Sequence, residues 1–459
     1  MNIFHIALKN LMQRGLASLL TMFSMALGVA LVVMVLSIGW VLTESFSRNS
    51  NVGYNLLVGS KGGSLQLTLN TVFYLSSPIE VIPYEEYLEY LPGDGRQKEI
   101  GKIGGRIAEP ERKGSYSSYM GGGFAVPVCL GDYLDQYRVV ATKPDFFVNL
   151  RYGEAGQFEY SFKSGRNFEE YNEENGYYEA VIGSQVAATL GKQVGDTFKV
   201  AHNAPGKENE HAEEFVIVGI LASSGTPNDR AAFINLEGFY FMEGHKRAFE
   251  DKLNPDELKQ DVERNEEFAG QPPRVPLEKR DLTAVLVKPA SGRFAMLMEK
   301  PINKRPNVQA ASPMEEIGNL FANIVNPVKY ALLALTTVIC AVSGVSILVS
   351  IYNSMNERKR DIAVMRALGA RREMVVFIIL LEATLIACCG GFLGWFIGHG
   401  VGAVFSPLVE ARTGIQIGFF TMTIYEGLII PALILVAILA GVIPAFVAYR
   451  TDVSKNLTS

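Results

Sequence analysis

The sequence predicts an α-helical membrane protein with four transmembrane helices and a large extracytoplasmic α+β domain between the first and second helices. Three observations support this fold class. Four apolar stretches are each long enough to cross a membrane, most charged residues lie between the first two of them, and basic residues flank the stretches on one side only.

Charge is unevenly distributed along the 459 residues. Residues 44–326 contain 30 Lys and Arg against 40 Asp and Glu, a net charge of −10, whereas the remainder contains 12 against 7. An acidic soluble domain therefore lies between apolar segments with basic flanks. Because nucleic-acid binding needs a basic face that neutralises phosphates, this balance argues against a nucleic-acid partner and indicates a lipid bilayer instead.

A transmembrane helix needs roughly 20 mainly apolar residues. Four ranges qualify and are called the first to fourth spans: residues 16–43, 328–352, 374–405 and 424–449. The first is too long for the apolar core of a signal peptide, and no small-x-small cleavage site follows Trp40. We therefore expect an uncleaved anchor, preceded by an amphipathic cytoplasmic segment at residues 1–15.

Basic residues predict the orientation of the spans. Lys9 and Arg14 precede the first span, loop 353–373 contains six Lys or Arg, and the tail 450–459 contains Arg450 and Lys455. The short loop 406–423 contains a single Arg. We expect both termini and loop 353–373 to be cytoplasmic, and the 44–326 domain and loop 406–423 to be outside.

The outer domain has strand and helix patterns at both ends and a middle region of alternating strands and glycine turns. Residues 44–140 and 275–326 emerge from the membrane at either side, so we expect them to form one membrane-proximal α+β layer. Residues 140–270 are predicted to be an inserted subdomain.

One polar stretch of the outer domain combines histidines and acids. Nothing in the spacing holds these side chains at helical or turn positions, so the stretch is interpreted as a solvated loop tip and no metal ligand is assigned. Its residues are His202, Glu208, Glu210, His211, Glu213 and Glu214. The four cysteines form no CxxC pattern or disulfide framework.

The spans themselves contain polar and small residues. Glu382 lies near the start of the third span and Glu426 near the start of the fourth; a membrane carboxylate has either an interfacial or packing role, or a role in coupling. Four glycines at small-xxx-small spacing in the third span predict close packing against a partner helix. They are Gly390, Gly391, Gly394 and Gly398.

Residues 356–370 of the cytoplasmic loop predict a short amphipathic helix. Ile362, Met365 and Leu368 recur at three-residue spacing among charged residues, and Gly369 provides a stop. A charged cytoplasmic loop alone is typical of a solvated topology determinant. An apolar stripe within it indicates a helix that docks into a groove of a partner protein.

The sequence of residues 357–370, ERKRDIAVMRALGA, closely resembles the coupling-helix signature of the MacB/FtsX/LolC-LolE class of ABC permeases. The third span, with Leu381-Glu382-Ala383 and a later GGFLG, is similar to the same family. The ending from Gly441 through Pro444 to Arg450 resembles its C-terminal G-x-x-P-A pattern. A looser similarity covers the middle third, which resembles the inserted subdomain of MacB-like periplasmic domains.

The resemblance implies that residues 357–370 dock onto a separate cytoplasmic ABC ATPase. Three arginines would pair with its acids, and the apolar stripe would fill its groove. The implied coupling residues are Glu357, Arg358, Arg360, Asp361, Ile362, Met365, Arg366, Leu368 and Gly369. Glu382, Gly390, Gly391, Gly394 and Pro444 would serve packing or coupling within the spans.

The chain itself is expected to be a non-catalytic permease subunit. It contains no G-x-x-x-x-G-K-[ST] loop, so ATP and Mg would be bound by the partner ATPase and no cofactor by this chain. The resemblance further implies a bacterial inner-membrane location and a dimer with a second permease copy or paralogue. It also leaves room for a periplasmic or outer-membrane partner.

Three functions remain open at this point. The favoured one is export or extraction of an amphipathic cargo, such as a lipoprotein, lipid, peptide or drug, by mechanotransmission through the spans. The second is an FtsX-like regulatory complex that controls a cell-wall hydrolase, although FtsX-like outer domains tend to be smaller. The third is a solute or metal uptake system, which only the His and acid stretch supports.

Overall fold

The computed structural model describes residues 3–13, 15–50, 53–153, 156–202, 210–245, 261–268, 270–357, 359–367, 369–413, 418–419 and 424–450. The chain forms two compact units. The helix unit comprises Met1–Glu44 and Ala322–Ser459, and the sheet domain comprises Ser45–Phe321.

The described residues form helices in both units. In chain order these are α1 (Ile3–Gln13), α2 (Gly15–Ser50), α3 (Ser64–Thr71), α4 (Glu85–Leu88), α5 (Gly95–Ile103), α6 (Asp145–Asn149), α7 (Ser184–Leu190), α8 (Leu236–Phe241), α9 (Gly292–Asn303), α10 (Pro313–Leu320), α11 (Asn326–Glu357), α12 (Lys359–Ala367), α13 (Arg372–Thr413) and α14 (Ile429–Arg450). A π-helical turn at Phe321–Val325 joins α10 to α11.

The strands that the structure describes all lie in the sheet domain. They are β1 (Leu56–Ser60), β2 (Ile82–Pro83), β3 (Gly105–Arg106), β4 (Phe124–Leu134), β5 (Tyr137–Thr142), β6 (Arg151–Tyr152), β7 (Phe158–Glu159), β8 (Phe162–Gly165), β9 (Glu179–Ile182), β10 (Thr197–Ala201), β11 (Glu210–Leu221), β12 (Ala231–Asn235), β13 (Asp261–Val262), β14 (Asp281–Leu282), β15 (Ala284–Lys288) and β16 (Val308–Ala311).

Four helical segments are long and apolar enough to cross a membrane, which confirms the predicted fold class. They are Gly15–Val41, Pro313–Glu357, Arg372–Pro407 and Glu426–Val447. The second begins before the predicted residue 328, because α10, the π-helical turn and α11 follow one another without a break.

The helix unit has an apolar core built from α2, α11, α13 and α14. Met25 and Val29 of α2 are buried there, as are Ile347 of α11, Ala383 of α13 and Ala437 of α14. Small side chains are frequent in this core. They suit helices packed in lipid, where close backbone approach rather than the hydrophobic effect drives association.

One ten-stranded sheet forms the centre of the sheet domain, in the order β10-β11-β9-β12-β5-β4-β15-β1-β16, with β8 beside β11. Strand β10 also pairs with β4 through Ala201 and Tyr133. The six strands β4, β5, β12, β9, β11 and β10 therefore close into a ring. The remaining strands β15, β1 and β16 extend the sheet from the other half of β4.

The predicted membrane-proximal layer and the predicted inserted subdomain share one sheet. Strand β4 is 11 residues long and pairs with strands of both parts. Its first half pairs with β15, and its end pairs with β10. Because one long strand is shared, the sheet is continuous from residues 44–140 into residues 140–270.

The central strands are buried on both faces. Val139 and Ala141 of β5 belong to one apolar core, and Val140 between them belongs to the other. Such strands are typical of a sheet covered by other elements on both sides.

Candidate functional site

The amphipathic helix predicted in the cytoplasmic loop is α12. It ends at Ala367, and Gly369 follows with a φ of 102°. The Ala370 amide donates to the Met365 carbonyl at 3.0 Å, and the Gly369 amide donates to the Arg366 carbonyl at 3.1 Å. These two bonds form a Schellman motif, which needs a left-handed residue at the position of Gly369. The glycine stop that the sequence predicts is therefore present.

The apolar stripe of α12 packs against the helix unit itself. Ile362 is 7% exposed and lies in the same core as Met355 of α11, Val375 and Ile379 of α13. Met365 is half-buried against that core. The sequence analysis expected this stripe to enter a partner's groove. A helix tethered closely at both ends instead buries its stripe on the nearest apolar surface, which belongs to the same chain.

The opposite side of α12 faces solvent and is called the outer face. It includes Arg360 and Val364, the latter 42% exposed. Glu357 before the helix and Arg371 after it are also exposed. Among the other predicted coupling residues, Arg366 is half-buried and Asp361 lies on α12, whereas Arg358 and Leu368 lie outside the described residues.

A small cavity lies between α1, α11, α12 and α13. Ile6 and Asn10 of α1 line it together with Met365 and Glu382. The Asn10 side-chain amide donates a hydrogen bond to Glu382 Oε1 at 2.5 Å. Glu382 is buried, so this bond links the amphipathic N-terminal helix to the third span.

The glycines of α13 permit close contact with α2. A Cβ added at Gly394 would lie 2.4 Å from the Ala26 carbonyl oxygen, and one at Gly390 would lie 2.8 Å from the Met22 carbonyl oxygen. Gly391 faces Leu433 of α14 instead. The two helix backbones meet too closely for any side chain at Gly390 or Gly394.

Pro444 is buried inside α14, one turn after Gly441. A Cβ at Gly441 would lie 3.1 Å from Leu380 Cδ2 and 3.2 Å from Ala383 Cβ. The family-like ending of the chain therefore packs beside Glu382 on the third span. Near the start of the fourth span, Glu426 is buried.

The histidines of the sheet domain lie closer together than their positions along the chain suggest. His202 and His211 meet Asp132 of β4 and His245, which follows α8. Glu210 and Glu214 are exposed, and Glu208 lies outside the described residues. Asp132 and His245 were not predicted, because no local spacing relates them to His202. The pairing of β10 with both β4 and β11 brings Asp132, His202 and His211 together, and His245 joins them from the turn after α8.

Two family models match the chain. Residues 18–265 match the MacB-like periplasmic core domain, and residues 333–453 match the FtsX-like permease C-terminal domain. The two matched ranges together cover α2, most of the sheet domain, α12 and the last two spans.

Curated relatives match shorter stretches. The macrolide export ATP-binding/permease protein MacB of Hahella chejuensis is 33% identical over 111 residues, 24% of this chain and 16% of the relative. That of Shewanella oneidensis is 32% identical over 119 residues, 26% of this chain and 17% of the relative. The probable export ATP-binding/permease protein MacB of Pseudomonas entomophila is 26% identical over 186 residues, 38% and 26% of the two chains.

The aligned part of this chain therefore spans only about a sixth to a quarter of the length of these curated relatives. The family models, in contrast, cover more than half of this chain and account for both of its units. On this evidence, the chain belongs to the MacB- and FtsX-like family of ABC permeases.

Proposed function

We propose that the chain is a non-catalytic permease subunit that couples ATP hydrolysis on a separate cytoplasmic ATPase to motion of its sheet domain. The cargo of this mechanotransmission is an amphipathic molecule, such as a lipoprotein, lipid, peptide or drug, that is exported or extracted. The macrolide export named for the MacB relatives is of this chemical kind and supports the proposal.

The observation that carries the proposal is the attachment of α12 to the spans. Its buried residue Ile362 shares one apolar core with α11 and α13. Packed interiors are dense and transmit displacement, so a force on the outer face of α12 moves the ends of both helices together. A solvated loop without this core would yield to the force instead.

The outer face is also the surface that suits an ATPase. Arg360 presents positive charge one helical turn before the exposed apolar side chain of Val364, and the exposed Arg371 adds a second charge after the end of α12. A partner groove with acidic rims and an apolar floor complements this arrangement. ATP and Mg are bound on that partner in this proposal, since the 459 residues contain no phosphate-binding loop of the G-x-x-x-x-G-K-[ST] form.

Motion passes from the cytoplasmic side through the packed spans. Gly390 and Gly394 hold α13 directly against α2, and Glu382 joins α13 to α1 through Asn10. The first and second spans are the chain segments that enter and leave the sheet domain. A displacement of α13 therefore reaches the sheet domain through its own covalent connections. A second permease copy or paralogue completes the complex.

The distribution of basic residues supports an inner-membrane location with both termini in the cytoplasm. In this orientation the sheet domain faces the periplasm or the exterior, where a periplasmic or outer-membrane partner could meet it. Regulation of a cell-wall hydrolase is the alternative function for a domain so placed. Uptake of a metal is a further alternative, favoured only by the histidine cluster of the sheet domain.

The test uses the ATPase encoded beside this chain, copurified with it and reconstituted in lipid. Val364→Asp puts a charge on the outer face, whereas Ile362→Asp puts one in the core. We expect Val364→Asp to abolish copurification of the ATPase and the effect of this chain on ATP turnover, while the Tm of the chain stays unchanged. Ile362→Asp should lower the Tm as well.

Val148→Asp is the matched control, since Val148 is 61% exposed and lies in the sheet domain. It should leave both ATPase association and Tm as in the unmodified chain. If Val364→Asp and Arg360→Glu together leave ATPase binding and ATP turnover unchanged, the outer face is not the docking surface and the proposal fails. In the unmodified complex, the class of cargo is identified by the compound that stimulates ATP turnover, which is a lipopeptide, a macrolide or zinc.

A further inference from the structure

We infer that Asp132, His202, His211 and His245 form a binding site for a divalent transition-metal ion, and that zinc suits it best. The site lies in the sheet domain, at the seam where β10 pairs with both β4 and β11. The inference goes beyond the proposed coupling function and does not depend on it.

The convergence of the histidines is the first argument. The whole chain of 459 residues contains 5 histidines, and three of them meet here. They come from three separate places: the end of β10, the start of β11 and the turn that follows α8. The fold therefore brings together imidazoles that the sequence keeps apart.

Strand register explains why the side chains share one face. Ala201 pairs with Tyr133 on one side and with Glu210 on the other. Side chains alternate between the two faces along a strand. The adjacent residues Asp132, His202 and His211 therefore all lie on the face opposite to the side chains of Ala201, Tyr133 and Glu210. A tight turn at Gly244, which has a φ of 86°, then brings His245 close to these three side chains.

The distances suit a tetrahedral ion. His211 Nε2 lies 3.0 Å from His245 Nε2, and Asp132 Oδ2 lies 3.2 Å from His245 Nε2 and 3.8 Å from His211 Nε2. Zinc bonds to nitrogen and oxygen of about 2.0–2.2 Å give ligand separations of about 3.3–3.6 Å in a tetrahedron. These three atoms already form one face of such a tetrahedron.

His202 is the candidate for the fourth position. Its Nδ1 lies 3.0 Å from Asp132 Oδ1, and one ligand atom from each of the four residues falls within 4.8 Å of the others. Its side chain is 47% exposed, whereas those of Asp132, His211 and His245 are 2%, 5% and 9% exposed. These three residues with little exposure form the interior of the site, and His202 lies at its solvent side.

Burial of one unsatisfied carboxylate oxygen is the second argument. The Asp132 side chain is 2% exposed, and its Oδ2 accepts no hydrogen bond from the part of the chain that the structure describes, although His245 Nε2 lies 3.2 Å away. A buried carboxylate oxygen that accepts no hydrogen bond is costly, because it has lost its contact with water. A bound cation facing Oδ2 removes that cost.

The chemical nature of the four side chains is also suitable. Three imidazoles and one carboxylate are a ligand set that zinc accepts, and imidazole also suits copper, nickel and iron.

The ion would join β4, β11 and the segment after α8, with β10 added through His202. It would therefore stabilise the pairing of β10 with β4 that closes the six-stranded ring. Because the unfolded chain lacks the preformed site, binding favours the folded state. Added zinc should thus raise the Tm of the sheet domain.

The experiment uses the full chain in detergent, purified with a tag that contains no histidine and stripped of metal with EDTA. Zinc chloride is then titrated by calorimetry, the bound zinc is measured by mass spectrometry after dialysis, and Tm is recorded with and without zinc. We expect about one zinc per chain and a higher Tm. Substituted cobalt should give the visible absorption of four-coordinate Co²⁺.

Three variants make the result specific. His211→Ala and Asp132→Asn should each reduce zinc affinity at least tenfold and remove the rise in Tm. His202→Ala, at the exposed entrance, should fold normally and weaken binding. His5→Ala is the control, since His5 is an exposed histidine of α1, and it should bind zinc as the unmodified chain does.

The inference is overturned if the unmodified chain retains no zinc after dialysis. It is equally overturned if His202→Ala and the folded His211→Ala and Asp132→Asn variants all retain zinc with unchanged affinity. Folding of each variant is checked by its Tm without metal. Should both buried-site variants fail to fold, the His202→Ala titration and the cobalt spectrum decide the matter.

Discussion

His399 Nε2 and Glu426 Oε2 lie 2.9 Å apart, and both side chains are 2% exposed. His399 belongs to α13, and Glu426 lies just before α14. Ser37 of α2 and the indole of Trp395 also donate hydrogen bonds to Glu426, each at 3.3 Å. One carboxylate thus gathers polar groups from the first, third and fourth spans, in a region where unsatisfied polar groups are costly.

The first prediction follows from this cluster. Glu426→Leu should lower the Tm of the chain in detergent, because three buried or half-buried donors lose their common acceptor. The cost should be about 1–3 kcal/mol. Glu426→Gln keeps an amide oxygen and should lose less. Glu373→Leu, which replaces an exposed acid in the first turn of α13, is the control. Equal Tm values for Glu426→Leu and the control would contradict the prediction.

The second prediction concerns the contact of α13 with α2. Gly394→Val should destabilise the helix unit by about 1–3 kcal/mol, because its Cβ would meet the Ala26 carbonyl and the Val29 side chain. Gly400→Val on the same helix is the control, since no atom lies within 4 Å of a Cβ there. Thermal unfolding in detergent compares the two. If Gly400→Val is as harmful as Gly394→Val, helix propensity rather than helix contact is responsible.

Local patterns predicted the parts of this structure that local chemistry determines. The spans follow from the length of each apolar stretch, and the end of α12 follows from Gly369. The close approach of α13 to another helix follows from small residues four positions apart. In each case the residues that determine the feature lie within a few turns of one another.

Features that depend on distant residues were not predicted. His202 and Asp132 are 70 positions apart and meet only through the ring closure of β10 on β4. Ile362 and Met365 of the predicted stripe pack against their own chain, a surface that was not predicted. An amphipathic pattern predicts that one face of a helix is buried, but it does not predict which surface covers that face.

The third prediction concerns the end of α12. Gly369→Ala places a Cβ at a φ of 102°, where nothing lies within 4 Å, so its cost of about 1–2 kcal/mol arises from the backbone alone. We expect a weaker effect of this chain on ATP turnover by the partner ATPase, with the membrane spans intact. Ala370→Gly is the matched control and should retain turnover. Full coupling in Gly369→Ala would mean that the Schellman end is dispensable.

The last prediction concerns a buried ion pair of the sheet domain. Glu99 accepts hydrogen bonds from Lys143 and, at 2.7 Å, from Tyr84. Burial by itself would raise the pKa of Glu99, but the charge and hydrogen bond of Lys143 outweigh it and lower the pKa to about 2. The ionised form of Glu99 is therefore more favoured in the folded state than in the unfolded chain, where the pKa of a Glu is about 4.3.

The contribution of Glu99 to the free energy of unfolding depends on pH. The stabilisation from Glu99, about 3 kcal/mol, is present above pH of about 4.3 and is lost as the pH falls towards 2. Glu99→Gln removes it at every pH and leaves Lys143 buried without its counter-charge. Calorimetry of the full chain in detergent should thus show a large Tm deficit for Glu99→Gln at pH 7 that shrinks by pH 3. Glu173→Gln, at an exposed position, should show no deficit. A deficit of Glu99→Gln that stays constant from pH 7 to 3 would mean that the carboxylate of Glu99 is not held by Lys143 in this way, and that the loss of Tm reflects altered packing alone.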